Sequence, residues 1–341
     1  MLPAHISTPI LLTHPVNTRY LHHLPMSQGA VYLSDKQRVF LNWGRPLRSP
    51  LPNGLRSVEI DKLQVGETIN ALLSADGYDA LEVESSIPHS LFLQLEAFPH
   101  LSLSLVEGVA ESWRETKDSW EIEQLAQACR ITDDAFSHIL TLLRPGLTEL
   151  EVAAELEHSM RLGGADGMNL TIVASGPNSA SPHHWPTSRI LEKGDFVTMD
   201  YGCTVNGYHS DMTRTVVLGK ATDEQKRIYN TVLHAQQSAE DFLRAGILSK
   251  EADLVARRII EDAGYPGRFL HNLGHGIGLD IHEGTGLTQT GEGRLQPGMV
   301  VSIEPGIYIE GFGGVRIEDI AVVEEDGCNV LEVSDKQLFE L

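Results

Sequence analysis

Short apolar runs alternate with helical patterns over the first third of the chain. The strand-like runs cover residues 30–33, 38–43, 80–83 and 101–106, and the helical patterns cover residues 63–75 and 87–98. Short strands separated by amphipathic helices are typical of a small α/β unit. The sequence therefore predicts an N-terminal α/β domain, which we place at residues 1–112.

Longer helical patterns begin near Arg114 and are followed by strands, and this order occurs twice. The first long helix is predicted over residues 117–143, where apolar residues recur at helical spacing until Pro145-Gly146. Capping patterns at Thr148–Glu151 and Thr222–Gln225 open two of the helices that follow it, and Ser249 opens another. Two helix pairs, each followed by strands, predict a second domain over residues 113–341 that consists of two similar halves.

The stretch Phe196–Val217 has the pattern of a β-hairpin that carries two aspartates. Its centre is Asn206-Gly207, a preferred pair for the two positive-φ positions of a type I′ turn. With that turn the predicted opposite pairs are Val205 with Tyr208, Gly202 with Asp211, and Asp200 with Thr213. Asp200 and Asp211 then lie on one face, about 7 to 8 Å apart at Cα. Two carboxylates this close on a half-buried sheet require a cation between them.

Two further apolar strands each carry one glutamate, Glu304 and Glu318. These strands cover residues 299–309 and 314–323. The loop between them decides on which side each glutamate lies. A five-residue loop over Glu310–Gly314 puts both on one side, whereas a four-residue loop needs a bulge, for which Pro305-Gly306 is suited. The sequence leaves both registers open.

A Gly-rich segment between the two carboxylate hairpins contains three histidines, His271, His275 and His282. Its glycines let the backbone approach a site closely. Ions such as Mn²⁺, Co²⁺ and Zn²⁺ accept imidazole nitrogen beside carboxylate oxygen. Four carboxylates and one imidazole suit two divalent cations that share bridging carboxylates at about 3.5 to 4 Å.

Each of these residues, taken alone, also has an ordinary structural explanation. An aspartate on a strand is usually solvated, Glu318-Asp319 would suit an exposed edge, and a histidine in a Gly-rich loop is more often a structural residue than a ligand. The combination favours a metal site, because four carboxylates buried without partners in apolar strands would each be strongly unfavourable.

Composition and charge exclude several classes of function. The net charge of −21 argues against a nucleic-acid partner, since such binding depends on clustered Lys and Arg. The three cysteines are odd in number and argue against a disulfide framework, which fits a reducing compartment. No apolar run reaches the length of a membrane span, and the N-terminus lacks the pattern of a signal peptide. These features predict a cytoplasmic protein without a membrane or nucleic-acid partner.

The motifs, in this order, resemble those of the pita-bread metallopeptidases, in particular the prolidase and aminopeptidase P branch, which includes creatinase. Val16–Leu21 is similar to an early segment of the family's N-terminal domain, Arg114–Phe136 to its linker helix, and Asn178–Asp319 to its catalytic motifs. The resemblance implies an α/β (α+β) architecture. A creatinase-like N-terminal α/β domain would precede a pseudo-symmetric pita-bread catalytic domain.

The resemblance also implies roles for individual residues. The metal ligands would be Asp200, Asp211, His275, Glu304 and Glu318. Asp211 and Glu318 would bridge two divalent ions, with Mn²⁺ as the first expectation and Co²⁺ or Zn²⁺ as alternatives. His183 and His282 would be catalytic together with Glu304, and His271 and Arg316 would line the substrate pocket. His184, next to His183, is expected to have no role.

The implied activity is hydrolysis of Xaa-Pro bonds in small peptides with proline at the second position. Cleavage of dipeptides is the first expectation, and removal of an N-terminal residue from longer peptides, as by aminopeptidase P, is the alternative. Many dipeptidases of the family carry a proline soon after the His-Glu pair, whereas Gly284-Thr285-Gly286 follow His282-Glu283 here. A creatinase-like hydrolase and a binding protein without activity are less favoured, because all five ligand residues are present. The resemblance also implies a homodimer.

Overall fold

The computed structural model describes residues 5–24, 28–47 and 50–341. The chain forms two compact units, Met1–Arg114 and Glu115–Leu341. Helices and sheets are present in both units, in agreement with the predicted α/β (α+β) class. In the described ranges, no helix combines the length and the apolar character that crossing a membrane requires.

One six-stranded sheet forms the centre of the first unit. Its strands are β1 (Ile10–Leu12), β2 (Gly29–Leu33), β3 (Arg38–Asn42), β4 (Arg56–Glu59), β5 (Ala80–Glu84) and β6 (Ser102–Val106). The helices are α1 (Pro15–His22), α2 (Val65–Asp76), α3 (His89–Glu96) and α4 (Val109–Glu115). The spatial order of the strands is β4-β3-β2-β1-β5-β6. All four predicted strands and both predicted helices are confirmed, while β1, β4, α1 and α4 were not predicted.

The second unit contains four longer helices and eleven short strands. The helices are α5 (Ser119–Leu140), α6 (Glu149–Leu162), α7 (Asp223–Phe242) and α8 (Ser249–Asp262). The strands are β7 (Gly167–Met168), β8 (Ile172–Ser175), β9 (Phe196–Tyr201), β10 (Cys203–Val205), β11 (Tyr208–His209), β12 (Met212–Val217), β13 (Val300–Ile303), β14 (Gly306–Ile309), β15 (Gly313–Arg316), β16 (Asp319–Val323) and β17 (Cys328–Val330). The capping boxes at Thr148 and Thr222 are confirmed, because each threonine side chain accepts a backbone hydrogen bond from the third residue of its helix.

The two halves of this unit repeat the same local hydrogen bonds. Gly146 N donates to Leu191 O at 3.0 Å, and Gly246 N donates to Leu295 O at 2.8 Å. The reverse bonds are also matched, since Leu191 N donates to Leu147 O and Leu295 N donates to Ile247 O. In each half, the turn before the second helix, α6 or α8, is therefore bonded in the same way to a later leucine, Leu191 or Leu295. This repetition agrees with the predicted pseudo-symmetry.

Strand β9, which carries Asp200, has apolar side chains on both faces. Alternate residues of β9 belong to different clusters of buried side chains, with Phe196 in the cluster around α7 and α8, and Val197 and Met199 in the cluster around α5 and α6. This double burial explains why the sequence of β9 is almost continuously apolar.

Candidate metal centre

The first hairpin has the register that its turn predicts. Asn206 and Gly207 have φ values of 49° and 82°, Val205 lies opposite Tyr208, and Asp200 lies opposite Thr213. The hairpin divides near Gly202: β9 pairs with β12 and β8, whereas β10 pairs with β11 and β7. A Cβ atom at Gly202 would lie 2.0 Å from the backbone oxygen of Ser210, so glycine is required at this close approach. Asp211 lies in the break between β11 and β12.

The glutamate strands are joined by a shorter loop than either length considered from the sequence. Ile309 pairs with Gly313, which leaves a loop of three residues, 310–312. The five-residue and four-residue loops are therefore both wrong. Ile303 pairs with Asp319 and Gly306 pairs with Arg316, so the register continues across the break without an extra residue on either strand. Glu304 and Glu318 consequently lie opposite each other and on the same side.

Backbone hydrogen bonds connect this hairpin to the other parts of the site. Glu318 N donates to Thr213 O at 3.1 Å, which joins it to the aspartate hairpin. Glu304 N donates to Leu273 O and Ser302 N donates to His275 O, both at 2.8 Å. The Gly-rich histidine segment thus runs beside the Glu304 strand, and the site is assembled from three separate stretches of the chain.

Asp211, His275 and Glu318 form the centre of this assembly. Each offers one ligand atom, and these three atoms all lie within 4.8 Å of one another. His275 Nε2 is 3.4 Å from Asp211 Oδ2 and 3.6 Å from Glu304 Oε1. Glu318 Oε2 accepts a hydrogen bond of 2.6 Å from Thr213 Oγ1. Two carboxylates and an imidazole at these distances fit a divalent cation of the Mn²⁺, Co²⁺ or Zn²⁺ type.

Asp200 lies beside this group and has a cationic partner within the protein. Its Oδ2 atom accepts a hydrogen bond of 2.6 Å from Arg316 Nη2. The other nitrogens of Arg316 donate to Thr213 Oγ1, Tyr308 Oη and Pro182 O. Arg316 therefore lines the pocket as predicted for a substrate residue, but its guanidinium is fixed by Asp200 and by neighbouring oxygens.

The electrostatics of the site favour a bound cation. Burial raises the pKa of Asp200 to about 6, although Arg316 opposes the shift. Burial likewise raises the pKa of Glu304 to about 7 and that of Glu318 well above its usual range. His275 shifts in the opposite sense: burial would lower its pKa, but the hydrogen bond and charge of Asp211 raise it to about 9. Without a metal, protons on these groups supply the positive charge that divalent ions would provide.

Three histidines predicted for the site but not as ligands, His183, His271 and His282, line one cavity of about 890 Å³. The same cavity is lined by His209 and by all five predicted ligands. The His282 ring centre is 3.9 Å from that of His275, with the planes tilted by 41°. His271 Nε2 is 2.8 Å from Tyr308 Oη, and burial lowers the pKa of His271 to about 3. His183 is exposed at the cavity wall. The structure thus brings all the predicted site residues to one cavity.

Sequence reasoning missed Tyr308 and Thr213. Tyr308 Oη contacts both His271 and Arg316, and Thr213 Oγ1 contacts both Glu318 and Arg316. A signal was available, because side chains alternate along a strand. Tyr308 is four residues from Glu304 and Thr213 is two residues from Asp211, so each shares a face with a predicted ligand.

The sequence and the fold match those of known metallopeptidases. Residues 123–325 match metallopeptidase family M24. A Xaa-Pro dipeptidase of Pyrococcus furiosus is 38% identical over 332 residues, which cover 97% of this chain and 94% of the relative. A solved Xaa-Pro dipeptidase from Bacillus anthracis has a TM-score of 0.93 and 39% identity, and covers 98% of this chain and 95% of its own.

A solved X-Pro aminopeptidase from Thermotoga maritima is similar to a comparable degree. It has a TM-score of 0.92 and 32% identity, and the match covers 98% of this chain and 97% of that protein. These matches extend over nearly the whole chain and confirm the predicted pita-bread fold class. The chain belongs to metallopeptidase family M24.

Proposed function

We propose that this protein is a dinuclear-metal peptidase that hydrolyses Xaa-Pro dipeptides. The observation that carries the proposal is the grouping of Asp211, His275 and Glu318 within 4.8 Å, in the cavity that Asp200 and Glu304 also line. The names of the P. furiosus and B. anthracis relatives support the choice of substrate. In this proposal residues 113–341 are the catalytic domain and residues 1–112 the creatinase-like N-terminal domain.

Two divalent ions are the cofactor, as is general for M24 metallopeptidases, and Mn²⁺ is the proposed metal. Asp211 and Glu318 would be shared by both ions, and Asp200, His275 and Glu304 would complete the set. The three carboxylates with raised pKa values fit this role, because bound cations would remove the penalty of burying their negative charges together. At His275 a cation would take the place of the proton that the imidazole holds next to Asp211. When bound, such a pair supplies a water of lowered pKa and polarises a carbonyl group.

The remaining roles concern proton transfer and charge stabilisation. Glu304 receives the proton of the attacking water on a carboxylate oxygen and returns it to the leaving proline nitrogen. His183 and His282 donate hydrogen bonds to the oxygen that becomes negative during attack. Burial, followed by the charge of His275, lowers the pKa of His282, so its imidazole is neutral at pH 7 and keeps one N–H to donate. His271 and Arg316 form part of the wall that contacts the substrate.

Aminopeptidase activity on longer peptides is the second candidate. The T. maritima relative is named an X-Pro aminopeptidase, and its match to this chain has nearly the same TM-score as that of the dipeptidase. Gly284-Thr285-Gly286 follows the His282-Glu283 pair, where many dipeptidases carry a proline, and Gly284 and Gly286 line the cavity. The absence of that proline is the local feature that supports this second candidate.

The experiment that tests the proposal compares substrates on one metal-loaded preparation. We expect Ala-Pro to be hydrolysed faster than Ala-Pro-Ala, and both faster than Ala-Ala or creatine. If alanine is instead released faster from Ala-Pro-Ala than from Ala-Pro, the protein is an aminopeptidase and not a dipeptidase. Hydrolysis of creatine would indicate a creatinase-like enzyme, and no turnover of any substrate with two ions bound would indicate a binding protein.

The cellular setting is part of the same proposal. Cys129, Cys203 and Cys328 are all unpaired, which supports a cytoplasmic location. The resemblance to prolidases supports a homodimer. Light scattering of the purified protein at micromolar concentration distinguishes a dimer from a monomer.

A further inference from the structure

Glu149, the first residue of α6, is wholly buried, with 0% of its surface exposed. Its carboxylate accepts six hydrogen bonds, three on each oxygen. Oε1 accepts from Ser175 N at 2.8 Å, Ser175 Oγ at 2.8 Å and Asn178 Nδ2 at 3.0 Å. Oε2 accepts from His184 Nε2 at 2.9 Å, Thr187 N at 3.0 Å and Thr187 Oγ1 at 2.7 Å. All six donors lie within residues 175–187.

These hydrogen bonds require an ionised carboxylate, because every contact on Glu149 is a donor. Burial by itself would raise the pKa of Glu149, but the hydrogen bonds from His184, Thr187, Asn178 and Ser175 lower it to about 2. His184 must present an N–H at Nε2 to this oxygen. His184, which was expected to have no role, is therefore one of the residues that bind segment 175–187 to Glu149.

The segment that Glu149 binds is the one that carries His183. Both neighbours of His183 in the chain are held in place. His184 is bonded to Glu149, and the backbone oxygen of Pro182 accepts a hydrogen bond of 3.3 Å from Arg316 Nη1. Ser179 Oγ accepts a hydrogen bond of 2.8 Å from Gly314 N on β15. The loop is thus held to the glutamate hairpin on one side and to the start of α6 on the other. There the Glu149 carboxylate acts beside a backbone hydrogen bond of 3.2 Å from Leu150 N to Thr187 O.

Helix capping does not account for Glu149. The N-terminus of α6 is already capped by Thr148 and Glu151, whose side chains and backbone groups bond reciprocally. The second half of the domain has a related arrangement at the first residue of α8. There Ser249 Oγ donates to Gly286 O and accepts from Thr288 N, and so binds the segment that follows His282. In both halves the first residue of the second helix anchors a loop that carries a proposed catalytic histidine.

We infer that Glu149 is a positioning residue that holds His183 in its catalytic place by binding the segment on both sides of it. The inference rests on the proposed role of His183. Glu149 itself does not line the cavity that holds the predicted ligands, so it acts through the loop.

The test combines Glu149→Gln with His183→Ala in a double-mutant cycle. The amide replaces one acceptor oxygen by a donor, so the two N–H donors on that side lose their acceptor. We expect Glu149→Gln to lower the turnover of Ala-Pro by about a hundredfold, the scale of a misplacement of about 1 Å, with two metal ions still bound. In the His183→Ala background the same change should lower turnover less than about twofold, because its target is already removed. Glu151→Gln, an exposed change on the same helix, is the matched control and should leave turnover unchanged.

The outcomes separate this inference from the proposed function. If His183→Ala lowers turnover but Glu149→Gln does not, or if the two losses multiply, Glu149 does not act through His183 and the inference is overturned. If His183→Ala leaves turnover unchanged, both the role of His183 and the inference fail. Should Glu149→Gln not fold, His184→Ala and Thr187→Val each remove part of the same contact, and the same non-additivity with His183→Ala is expected. Losses that multiply there would also overturn the inference.

Discussion

Arg316 and Asp200 form an ion pair in which Nη2 and Oδ2 are 2.6 Å apart and the side chains are only 3% and 18% exposed. Sequence reasoning assigned these residues to different tasks, one to the substrate and one to the metal. Their contact links the predicted metal ligands to the substrate pocket, because Asp200 is held by an arginine that also binds Tyr308 and Thr213. The arginine compensates the charge of Asp200 next to the other carboxylates.

Arg316→Met should strongly destabilise the metal-free protein. Removing one partner of a buried ion pair leaves the other charge unpaired, at a typical cost of about 3 to 5 kcal/mol. The free energy of unfolding, measured in urea after removal of metal, checks this. Adding Asp200→Asn to Arg316→Met should recover most of the loss. A loss that is unchanged in the double variant would mean that the arginine acts through packing and not through Asp200.

Glu304→Gln should stabilise the metal-free protein at neutral pH but hardly at pH 5. Burial raises the pKa of Glu304 to about 7, so the folded protein holds this proton more tightly than the unfolded chain does. That contribution is complete below the ordinary carboxyl pKa and is lost as the pH rises through about 7, and the loss amounts to about 3 kcal/mol. Urea unfolding of both proteins at pH 5 and pH 8 measures the difference. An equal difference at both pH values would contradict it.

Asp211→Ala and His275→Ala should differ in the number of metal ions that they lose. Asp211 is proposed to be shared by both ions, so its removal should bring metal content toward zero and abolish turnover. His275 is proposed to serve one ion, so His275→Ala should retain about one ion per chain. Elemental analysis after gel filtration gives both values. Full metal content in Asp211→Ala would remove this residue from the site.

Lys117→Met should destabilise the protein through the loop that carries His282. Lys117 Nζ is 2.9 Å from Glu283 Oε1, and the two side chains are 2% and 4% exposed. Loss of the lysine removes this cation from the buried carboxylate, at a cost of about 3 to 5 kcal/mol. Lys117→Met combined with Glu283→Gln should be more stable than Lys117→Met alone in urea unfolding. A double variant that is no more stable would show that the charge of Glu283 is not the cause.

The parts of the site that sequence predicted best are governed by local rules. Asn206-Gly207 fixes a two-residue turn, and the turn fixes the positions of Asp200 and Asp211. The glutamate loop was predicted less well, because Gly311 and Gly313 both have positive φ and glycine-rich loops fit several lengths. Its true length follows from the pairing of Ile309 with Gly313, which the local sequence does not specify.

Contacts between residues far apart in the chain could not be predicted from the sequence. Thr148–Glu151 predicted the start of a helix, yet the same four residues contain Glu149, whose role depends on hydrogen bonds to residues 26 to 38 positions away. The Arg316–Asp200 pair spans 116 positions. Such contacts become visible only when the hairpins and the helix pairs are packed together.

The central claim is that the Asp211–His275–Glu318 group holds metal ions that make this protein a Xaa-Pro peptidase. The most direct measurement follows Ala-Pro hydrolysis while Mn²⁺ is titrated into metal-stripped protein, with bound metal determined at each point. We predict no turnover without metal, turnover that reaches its maximum at two bound ions per chain, and none for Asp211→Ala at any Mn²⁺ concentration. Undiminished Ala-Pro hydrolysis by the metal-stripped protein, or by Asp211→Ala, would contradict the account.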